Sequence, residues 1–600
     1  MSEVIEAYRS LGLDFNPNKM QQRLFDIIRD GDPAHLLMAG TGSGKTEAVA
    51  VPVLYPDPSQ QRRLVMVLPA RSLVEDLRGR MSDMLCALSR SRRRSCALIV
   101  DVGGEWERIS FQDGQEVRPT SPREISHYYS GDVILTTLDK FIYRFFAYGP
   151  QRKSYVFPYR IHEKLQQSIF CFDEAHCYDG VAFTNFLSLI RALYEKGLKL
   201  IVMTATMPEE YQKELTHYLD PLDHLSESGN PKRNLTFAAI DADPEENEGR
   251  EAYSTALVDA FVHQIEERAS AERRTIVVVE TVEDAAKVFT AVKQQGRGGF
   301  FYHGRLPNEQ RRKVYGEIKR RDTDNNGYLL ITTSAIEVGC DLDAHTLITE
   351  LCNPEQLIQR AGRCNRRAKM ETGEVVVIGG KHIRPWLRTM GESEEQVYLD
   401  YLKIPDVKPY SSEELIQYIN KTPNFDYRAQ ILFDMLYEFV YEFRLENEPL
   451  HKKGLVITRS WEPTVTLTTD RKNLKNAVTV PIGRLALRKD LDEKRCEEHK
   501  LYYEYYDRGE GKKIIDELSR NVSAYFADLI LEVPKESYDP ELGYVEIPRV
   551  LHREYRPGYH RALSYVPDDE LGKNKPQRYT ISYCEGALIQ AEEVNPYYVV

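Results

Sequence analysis

The chain has 600 residues, of which 42% are hydrophobic and 29% are charged, and its formal net charge is −12. This length predicts about four domains and leaves ample apolar material for several cores. The acidic balance argues against a chromatin-like protein that binds by bulk electrostatics, although local basic patches still permit phosphate contacts.

Membrane and secretory proteins are also disfavoured. No run approaches the roughly 18 apolar residues that a membrane span requires. The amino terminus, Met1-Ser2-Glu3, carries acid where a secretion signal carries base. The nine cysteines are scattered and include no C-x-x-C pair, which is unlike a disulfide framework. We therefore expect a cytosolic protein without a membrane attachment.

From about Pro33 to Pro208, short β-rich apolar runs alternate with helical stretches. In the stretch from Arg71 to Leu88, apolar residues recur at helical spacing. This alternation predicts βαβ units and a parallel sheet with helices on both faces. The strands predicted in this region are Leu36–Met38, Leu64–Leu68, Ala97–Val100, Val133–Leu135, Ile169–Phe172 and Leu200–Met203.

The strongest motif follows the first of these strands and precedes a helical stretch. Its glycines let backbone N–H groups curl around phosphate oxygens at a helix N-terminus. Lys45 is expected to reach the β- and γ-phosphates of ATP, and the Thr46 hydroxyl to bind Mg²⁺. Ala39 stands where the strict pattern has glycine, so the motif is a close variant. The residues predicted to bind the phosphates are Gly40, Thr41, Gly42, Ser43, Gly44, Lys45 and Thr46.

A basic patch follows at Arg90, Arg92, Arg93 and Arg94. Patches of this kind, rather than net charge, set phosphate contacts. A solvated helix end and a surface for a nucleic-acid strand both account for it, and we favour the helix end slightly.

An Asp-Glu-Ala-His tetrapeptide begins at Asp173, directly after the strand predicted at Ile169–Phe172. Ligands of open α/β sheets bind at the carboxyl ends of the strands. Asp173 is therefore predicted to hold Mg²⁺ through its water shell, and Glu174 to orient and deprotonate the attacking water. After the next strand, the hydroxyls of Thr204 and Thr206 are predicted to relay the state of this site.

Residues 220–251 are mostly polar and include an acidic run, which predicts a linker between two lobes. A second βα series then begins, with a helix near Ala285–Lys293. Two similar α/β lobes in tandem are therefore expected. The strands predicted in the second lobe are Thr275–Val279, Phe300–Tyr302, Tyr328–Thr332, Thr346–Ile348 and Val375–Ile378.

A basic motif in the second lobe reads Gln-Arg-Ala-Gly-Arg-Cys-Asn-Arg from Gln359. Arginines opposite a phosphate site stabilise the charge of the transferred γ-phosphoryl group and contribute about 10³–10⁵ in rate in other NTPases. The first lobe shows no arginine of its own beside the phosphate loop. Gln359, Arg363 and Arg366 are therefore predicted to complete the catalytic site, with a solvated basic helix face as the alternative.

Beyond about Lys381 the pattern changes. Residues 393–441 are predicted to be helical, residues 454–485 alternate as strands do, and the tail from Tyr502 carries no catalytic signature. The predicted organisation is two α/β lobes at 1–225 and 226–390, a helical linker at 391–450 and a mixed α+β C-terminal domain at 451–600.

Together these motifs resemble helicase superfamily two, in which two RecA-like parallel-sheet lobes hold ATP and Mg²⁺ in the cleft between them. The resemblance covers about residues 15–380 and implies that Gln21, or Gln22, reads adenine. Strand contacts in such proteins go mainly to the phosphate-sugar backbone, so movement need not depend on sequence. The resemblance places Gly339 and Asp341 with the nucleotide-binding residues. It assigns strand contact or coupling to Arg71, Thr137, His176, Thr204, Thr206, Arg305 and Thr333.

The second lobe narrows the family. The segment from Thr332 to Asp343, followed by Leu-Ile-Gln-Arg-Ala-Gly-Arg from Leu357, is similar to the CRISPR-associated helicase of type I systems, the Cas-three family. Ser334 departs from the glutamine that is usual there. Tyr538–Tyr544 is also similar to a short segment of that family's C-terminal region.

This resemblance implies an ATP-dependent helicase that moves 3′→5′ on single-stranded DNA. Its expected partner is a surveillance complex with a guide RNA, which opens the target DNA. Family members commonly begin with a metal-dependent HD nuclease domain. Here the phosphate loop starts at Ala39 and no His-Asp dipeptide occurs. The chain thus resembles the helicase-only form in a prokaryotic cytoplasm, with no nuclease activity of its own; as in type I-D systems, a separate subunit would carry the HD nuclease.

Two alternatives stay open on the residues alone. An RNA helicase or remodeller of the same superfamily would have the same catalytic residues. A scaffold that binds nucleotide without hydrolysing it would not need to keep all five of Lys45, Asp173, Glu174, Arg363 and Arg366.

Overall fold

The computed structural model divides the chain into two compact units. The first contains residues 1–232, 338–341 and 419–459, and the second contains 233–337, 342–418 and 460–600. The residues that the structure describes are 3–31, 34–40, 42–56, 62–102, 105–117, 131–146, 168–178, 180–204, 207–222, 234–242, 250–337, 340–379, 408–410, 415, 425–442, 456–482, 486–487, 500–507, 512–517, 522–523, 528–547, 551–555, 560–565, 573–575, 577 and 579–584.

The first unit is built on one large sheet. Its strands are β1 (Ala34–Met38), β2 (Arg63–Leu68), β3 (Cys96–Val102), β4 (Glu105–Gln112), β5 (Gln115–Val117), β6 (Val133–Thr137), β7 (Ser168–Phe172), β8 (Lys199–Thr204) and β9 (Asp220–Pro221). They lie in the order β5-β4-β3-β6-β2-β7-β8-β1-β9. The β3–β4 and β4–β5 pairs are antiparallel, and the other neighbours are parallel.

Several central strands of this sheet are buried along their whole length. In β6 and β7 every residue is buried, which explains why both read as continuous apolar runs. Helices cover them as βαβ units require. The helices of this unit are α1 (Glu3–Ser10), α2 (Lys19–Asp30), α3 (Lys45–Leu54), α4 (Arg71–Arg92), α5 (Leu138–Phe145), α6 (Gly180–Glu195), α7 (Glu209–Thr216) and α12 (Tyr427–Tyr437).

The arginine patch after Leu88 is the end of helix α4. Arg90 donates to the Gly114 carbonyl, Arg92 stacks over the Tyr55 ring at 4.3 Å, and Arg94 donates to a backbone carbonyl of α3. Arg93 ends the helix in the left-handed conformation. The described contacts of this patch thus support the helix-end interpretation.

The helix α12 belongs to the first unit, although it lies in the segment predicted as a linker. Its Phe433 and Tyr437 rings stack on Phe145 at the end of α5, with centroids 6.2 and 6.3 Å apart. The Tyr441 hydroxyl donates to the Phe145 carbonyl at 2.6 Å. Further on, Arg459 donates to Asp139 at 2.6 Å and to the Pro69 carbonyl. Residues 425–442 and Arg459 are therefore held by the first lobe's own helices and strand ends.

The second unit contains a seven-stranded sheet with the order β12-β13-β11-β14-β15-β10-β16. All its neighbours are parallel except β10 and β16. Its strands are β10 (Leu235–Asp241), β11 (Arg274–Val278), β12 (Phe300–Tyr302), β13 (Tyr328–Thr332), β14 (Thr346–Glu350), β15 (Gly373–Gly379) and β16 (Lys408–Pro409). Its helices are α8 (Arg250–Arg268), α9 (Val282–Gln294), α10 (Asn308–Thr323) and α11 (Pro354–Ala361).

The prediction that residues 220–251 form only a linker is wrong for β10. This strand pairs with β15 along its whole length. Only Leu235 and Phe237 of this strand are buried, and the polar residues Thr236 and Asp241 dilute its apolar signal. The predicted helical stretch 393–441 likewise contains β16, a strand of two residues that is too short to leave a pattern.

The rest of the second unit forms two five-stranded sheets with the orders β18-β17-β23-β20-β21 and β19-β24-β25-β26-β22. Among the described residues, no helix is long and apolar enough to cross a membrane. The strands are β17 (Thr464–Thr468), β18 (Val478–Pro481), β19 (Ala486–Leu487), β20 (Lys500–Asp507), β21 (Lys512–Glu517), β22 (Val522–Ser523), β23 (Asp528–Glu532), β24 (Leu551–Tyr555), β25 (His560–Tyr565) and β26 (Tyr579–Cys584).

Candidate nucleotide and nucleic-acid sites

The predicted phosphate loop joins β1 to α3, and two of its glycines have left-handed backbones. Gly42 and Gly44 both have φ +81°, a conformation that side chains rarely adopt. A Cβ on Gly44 would also lie 2.4 Å from Nε2 of Gln21. Gly44 caps α3, so the first free N–H groups of that helix face the loop. Thr41 lies outside the described residues.

Lys45 spans this loop from the first position of α3. It is 7% exposed, and its Nζ donates to the Ala39 carbonyl at 2.6 Å and to the Gly40 carbonyl at 3.4 Å. The neighbouring Thr46 is buried, and the buried Ser43 hydroxyl has no hydrogen-bond partner among the residues that the structure describes. A buried hydroxyl without a partner costs free energy that an incoming phosphate oxygen would recover. The loop therefore fits an anionic phosphate ligand.

Residues at the N-terminus of α2 donate hydrogen bonds to the backbone of the loop. Gln21 accepts from the Asn18 backbone at 2.9 Å, and its Nε2 donates to the Gly44 carbonyl at 3.2 Å. Asn18 in turn donates to the Ser43 carbonyl at 3.0 Å. Gln22 donates instead to Pro17, outside the loop. Of the two glutamines, Gln21 thus contacts the loop, while its role in adenine recognition stays a prediction.

Asp173 and Glu174 follow β7, at the carboxyl edge of the same sheet as the loop. Asp173 is 6% exposed and accepts from the Glu174 backbone at 2.8 Å. Burial, followed by the charge of Glu174, raises the pKa of Asp173 to about 7, while Lys45 and Arg80 oppose this shift. Glu174 has φ +52°, and such strain concentrates at functional sites. Thr46 and Asp173 supply the oxygen donors that Mg²⁺ prefers.

Arg80 is a cation near this site that the sequence pattern did not reveal. It lies in the middle of α4, and its guanidinium pairs with the carboxylate of Glu47 in the first turn of α3. Its charge also acts on Asp173. The expectation that the first lobe has no arginine near the phosphate loop is therefore wrong. Helix α4 was recognised only by its apolar spacing, which says nothing about where its polar face points.

The predicted coupling residues His176 and Thr204 lie together. Nδ1 of His176 is 3.0 Å from the hydroxyl of Thr204, which ends β8. The same nitrogen lies 3.4 Å from the Glu174 carboxylate. His176 thus lies between Glu174 and the end of the neighbouring strand. Thr206 lies outside the described residues.

The predicted strand-contacting residues of the first unit lie at two strand ends. Arg71 is exposed at the first position of α4, after β2. Thr137 ends β6, is 4% exposed and occupies the residue position before α5. Because β2 and β6 are neighbours, the two residues share one edge of the sheet.

In the second unit, the basic motif begins on helix α11. Arg363 is 9% exposed and donates to the backbone carbonyls of Ile336 and Glu337. The backbone N–H of Arg366 donates to Asp343 at 2.7 Å, and Gln359 is half-buried. Thr333, which follows β13, is 6% exposed. Gly339 lies outside the described residues, and Asp341 is grouped with the first unit.

Arg360 of the same helix lies at the centre of a buried ionic cluster. Its side chain is fully buried and donates to the Glu337 carboxylate at 2.7 Å and to the Thr349 hydroxyl at 2.8 Å. It also pairs with Glu280. Burial raises the pKa of Glu350 to about 7, and the charge of Arg360 opposes that shift. The cluster ties the ends of β11, β13 and β14 to α11.

His303 and Arg305, which follow β12, are bound by residues 538–545, here called the clasp. Nδ1 of His303 accepts from the Arg305 backbone at 3.1 Å, so its Nε2–H donates to the Leu542 carbonyl at 2.9 Å. Nη1 of Arg305 donates to Glu283 at 2.8 Å and to the Val545 carbonyl at 2.6 Å. The guanidinium predicted to touch a nucleic-acid strand is therefore engaged within the protein.

His303 is expected to make the second unit sensitive to acid. Burial lowers its pKa from about 6.5 to about 4, so the folded state resists a proton that the unfolded state accepts. The contribution of neutral His303 to the free energy of unfolding is therefore complete above pH 6.5 and is lost as the pH falls towards 4. Between pH 7 and 4.5, the free energy of unfolding of the wild type should fall relative to that of His303→Gln by on the order of 2 kcal/mol.

Urea unfolding of both proteins at each pH measures this difference. The matched control is His263→Gln, since His263 is an exposed histidine of helix α8. The prediction fails if the stability gap between wild type and His303→Gln stays constant with pH.

Comparison with known proteins assigns both lobes to helicase models. Residues 18–214 match the model described as DEAD/DEAH box helicase. Residues 271–369 match the model described as CRISPR-associated nuclease/helicase Cas3, C-terminal. The predicted resemblance to the Cas3 helicases is confirmed. The first match runs from α2 into α7, and the second runs from just before β11 to the loop after α11.

Individual Cas3 proteins align over much of this Cas3-like chain. A putative CRISPR-associated nuclease/helicase Cas3 of Methanocaldococcus jannaschii is 22% identical, over 68% of this chain and 51% of that protein. The CRISPR-associated helicase Cas3 of Thermoproteus tenax is 25% identical, over 58% of this chain and 56% of that protein. The chain thus spans about half the length of the curated relatives that it matches.

The fold is shared with a solved Cas3 structure. The crystal structure of T. fusca Cas3 with ATP aligns with a TM-score of 0.55 and 15% identity, over 90% of this chain and 71% of that chain. The prediction of two tandem RecA-like lobes is confirmed by this likeness and by the two large, mainly parallel sheets.

Proposed function

We propose that this Cas3-like chain is an ATP-driven translocase or helicase that acts on single-stranded DNA in CRISPR interference. One observation carries the proposal. The phosphate loop with Lys45 and the carboxylates Asp173 and Glu174 follow parallel strands of one mainly parallel sheet, at the carboxyl ends of those strands, in a chain whose second lobe matches the Cas3 model. This edge is where open α/β sheets bind their ligands.

Each catalytic side chain has a proposed role. Lys45 binds the β- and γ-phosphates, and Thr46 and Asp173 hold Mg²⁺, which when bound neutralises phosphate charge. Glu174 orients and deprotonates the attacking water. Gln359, Arg363 and Arg366 are proposed to act on the γ-phosphate. Because Arg363 is bound to the turn at 334–337, any movement of that turn would move the guanidinium.

Contact with the strand is assigned to exposed or strand-end residues. Arg71, Thr137 and Thr333 are proposed to contact the phosphate-sugar backbone, while His176 and Thr204 relay the state of the ATP site. Movement is proposed to run 3′→5′, as the family resemblance implies.

The cellular setting is also a proposal. Target DNA would be opened by a surveillance complex with a guide RNA in a prokaryotic cytoplasm. A separate subunit would supply the HD nuclease, as in type I-D systems.

The test compares ATP hydrolysis with single-stranded DNA and single-stranded RNA of one sequence, scoring strand cleavage in the same tubes. We expect DNA to stimulate hydrolysis several-fold more than RNA, without cleavage. Equal or greater stimulation by RNA would favour an RNA remodeller. No turnover with either strand at saturation would favour a nucleotide-binding scaffold, and cleavage would reveal an intrinsic nuclease.

A further inference from the structure

The clasp is a preformed turn. The Gly543 N–H donates to the Asp539 carbonyl at 2.7 Å, and the Asp539 N–H donates back to the Gly543 carbonyl at 3.1 Å. Inside the turn, the Asp539 carboxylate accepts from the backbone of Glu541 at 2.7 Å and of Leu542 at 2.8 Å. Gly543 has φ +67°, which a side chain would strain. The turn therefore keeps its shape through its own hydrogen bonds.

Three main-chain groups of the clasp bind the segment after β12. The Leu542 carbonyl accepts from His303, and the Val545 carbonyl accepts from Arg305. The Tyr544 N–H donates to the Arg305 carbonyl at 3.3 Å. Arg305 thus uses both its side chain and its backbone to hold the clasp.

The start of the clasp is held separately by helix α10. Nε2 of Gln310 donates to the Pro540 carbonyl at 2.6 Å, and its Oε1 accepts from the Tyr538 hydroxyl at 3.1 Å. These contacts lie near the surface, so they can be removed without disturbing the core.

Apolar packing makes the clasp part of the lobe's core. Leu542 and Val545 pack against the hydrophobic cluster under the seven-stranded sheet, and Tyr544 is fully buried. A Cβ on Gly543 would lie 2.9 Å from the Arg305 carbonyl oxygen. Release of the clasp would expose these side chains to water and leave the buried His303 without its acceptor, both of which cost free energy.

We propose that the clasp is a permanent part of the second lobe and that Arg305 is a positioning residue for it, rather than a contact to the nucleic-acid strand. This inference refines the proposed function, because it concerns which residues meet the strand. The clasp stays seated while the strand binds, and the charges that meet the phosphates come from other residues.

The first test measures amide hydrogen exchange of the 538–545 region in the full chain. Exchange should be slow and should stay within about twofold when oligo(dT) is added to saturation. Gly543→Ala should raise it about tenfold or more, because the added Cβ has no room. The matched control is Gly316→Ala in helix α10, where a Cβ meets nothing within 4 Å.

Gln310→Ala is a second variant, for use if Gly543→Ala fails to fold. In Gln310→Ala, exchange should rise several-fold at the start of the clasp only. If oligo(dT) alone released the region as Gly543→Ala does, the clasp would be a displaceable plug and the proposal would be wrong. Unchanged exchange in Gly543→Ala and Gln310→Ala would also overturn it. The comparison of the variants without oligo(dT) requires neither ATP hydrolysis nor strand binding, so it separates the clasp from the proposed function.

The second test measures the salt dependence of binding to labelled oligo(dT). Each phosphate contact contributes a slope of about −0.7 in a plot of log K against log salt concentration. Arg305→Ala should leave this slope unchanged even if the affinity falls. Arg71→Ala, at a proposed phosphate contact, should make it shallower by about 0.7. The same loss of slope in Arg305→Ala would show that Arg305 touches the strand. If oligo(dT) does not bind at all, the proposed function fails while the exchange result still stands.

Discussion

Replacing Lys45 with alanine is expected to lower strand-stimulated ATP hydrolysis by about 10²- to 10³-fold or more, the loss typical when a preorganised charge is removed from a transition state. The ammonium group is held by the Ala39 and Gly40 carbonyls at the mouth of the loop, so its position does not depend on side-chain freedom. Steady-state measurement of phosphate release with saturating single-stranded DNA gives the rate.

The matched control is Lys213→Ala, which removes an exposed lysine from helix α7 of the same unit. It should leave the rate within experimental error. Thermal unfolding of both variants excludes a general loss of structure. Undiminished hydrolysis in a folded Lys45→Ala protein would show that the phosphate loop has been assigned to the wrong residues.

Arg360→Met is expected to lower the free energy of unfolding of the second unit by about 3–5 kcal/mol. Removing one partner from a buried ionic cluster leaves the others charged and unpaired, which is the costly case. Here Glu337 would lose a hydrogen bond of 2.7 Å in surroundings that already raise its pKa. Urea unfolding, followed by hydrogen exchange of the peptides from β13 and α11, measures the loss.

The matched control is Arg320→Met in helix α10, whose arginine pairs with Glu317 on the surface. Exposed pairs contribute little to the free energy of unfolding because solvent screens them, so this change should be nearly silent. Adding Glu337→Gln to Arg360→Met should restore part of the free energy of unfolding, because it removes the carboxylate that Arg360→Met leaves unpaired. Equal effects of the two arginine variants would mean that the cluster is well solvated.

The central strands of each large sheet could be predicted from the sequence because their burial leaves a signal in the strand's own residues. The strand at Tyr328–Thr332 was placed at its observed bounds, since a fully buried parallel strand reads as an uninterrupted apolar run. The strands at the edges of the sheets were harder to predict. Strands β4 and β5 lie at the antiparallel edge of the first sheet, and β5 is exposed along its length, so no apolar run marks them.

The phosphate loop and the acidic motif could be predicted because each is a short contiguous pattern. Arg80 was missed because its partner Glu47 lies on another helix, and only the fold brings them together. The same limit applies to Arg305. A motif resemblance predicts which residue type stands at a strand end, but it does not predict that a turn more than two hundred residues downstream will occupy its guanidinium.

The first unit is built from segments that lie far apart in the sequence. Residues 419–459 return to the first unit after the second has begun, and their aromatic rings complete the packing around Phe145. A protein cut after residue 232 would leave that ring and the carbonyl bound by Tyr441 facing water, and it would tend to aggregate. The first lobe is therefore discontinuous in the sequence, and a stretch of gene that ends at residue 232 does not encode all of it.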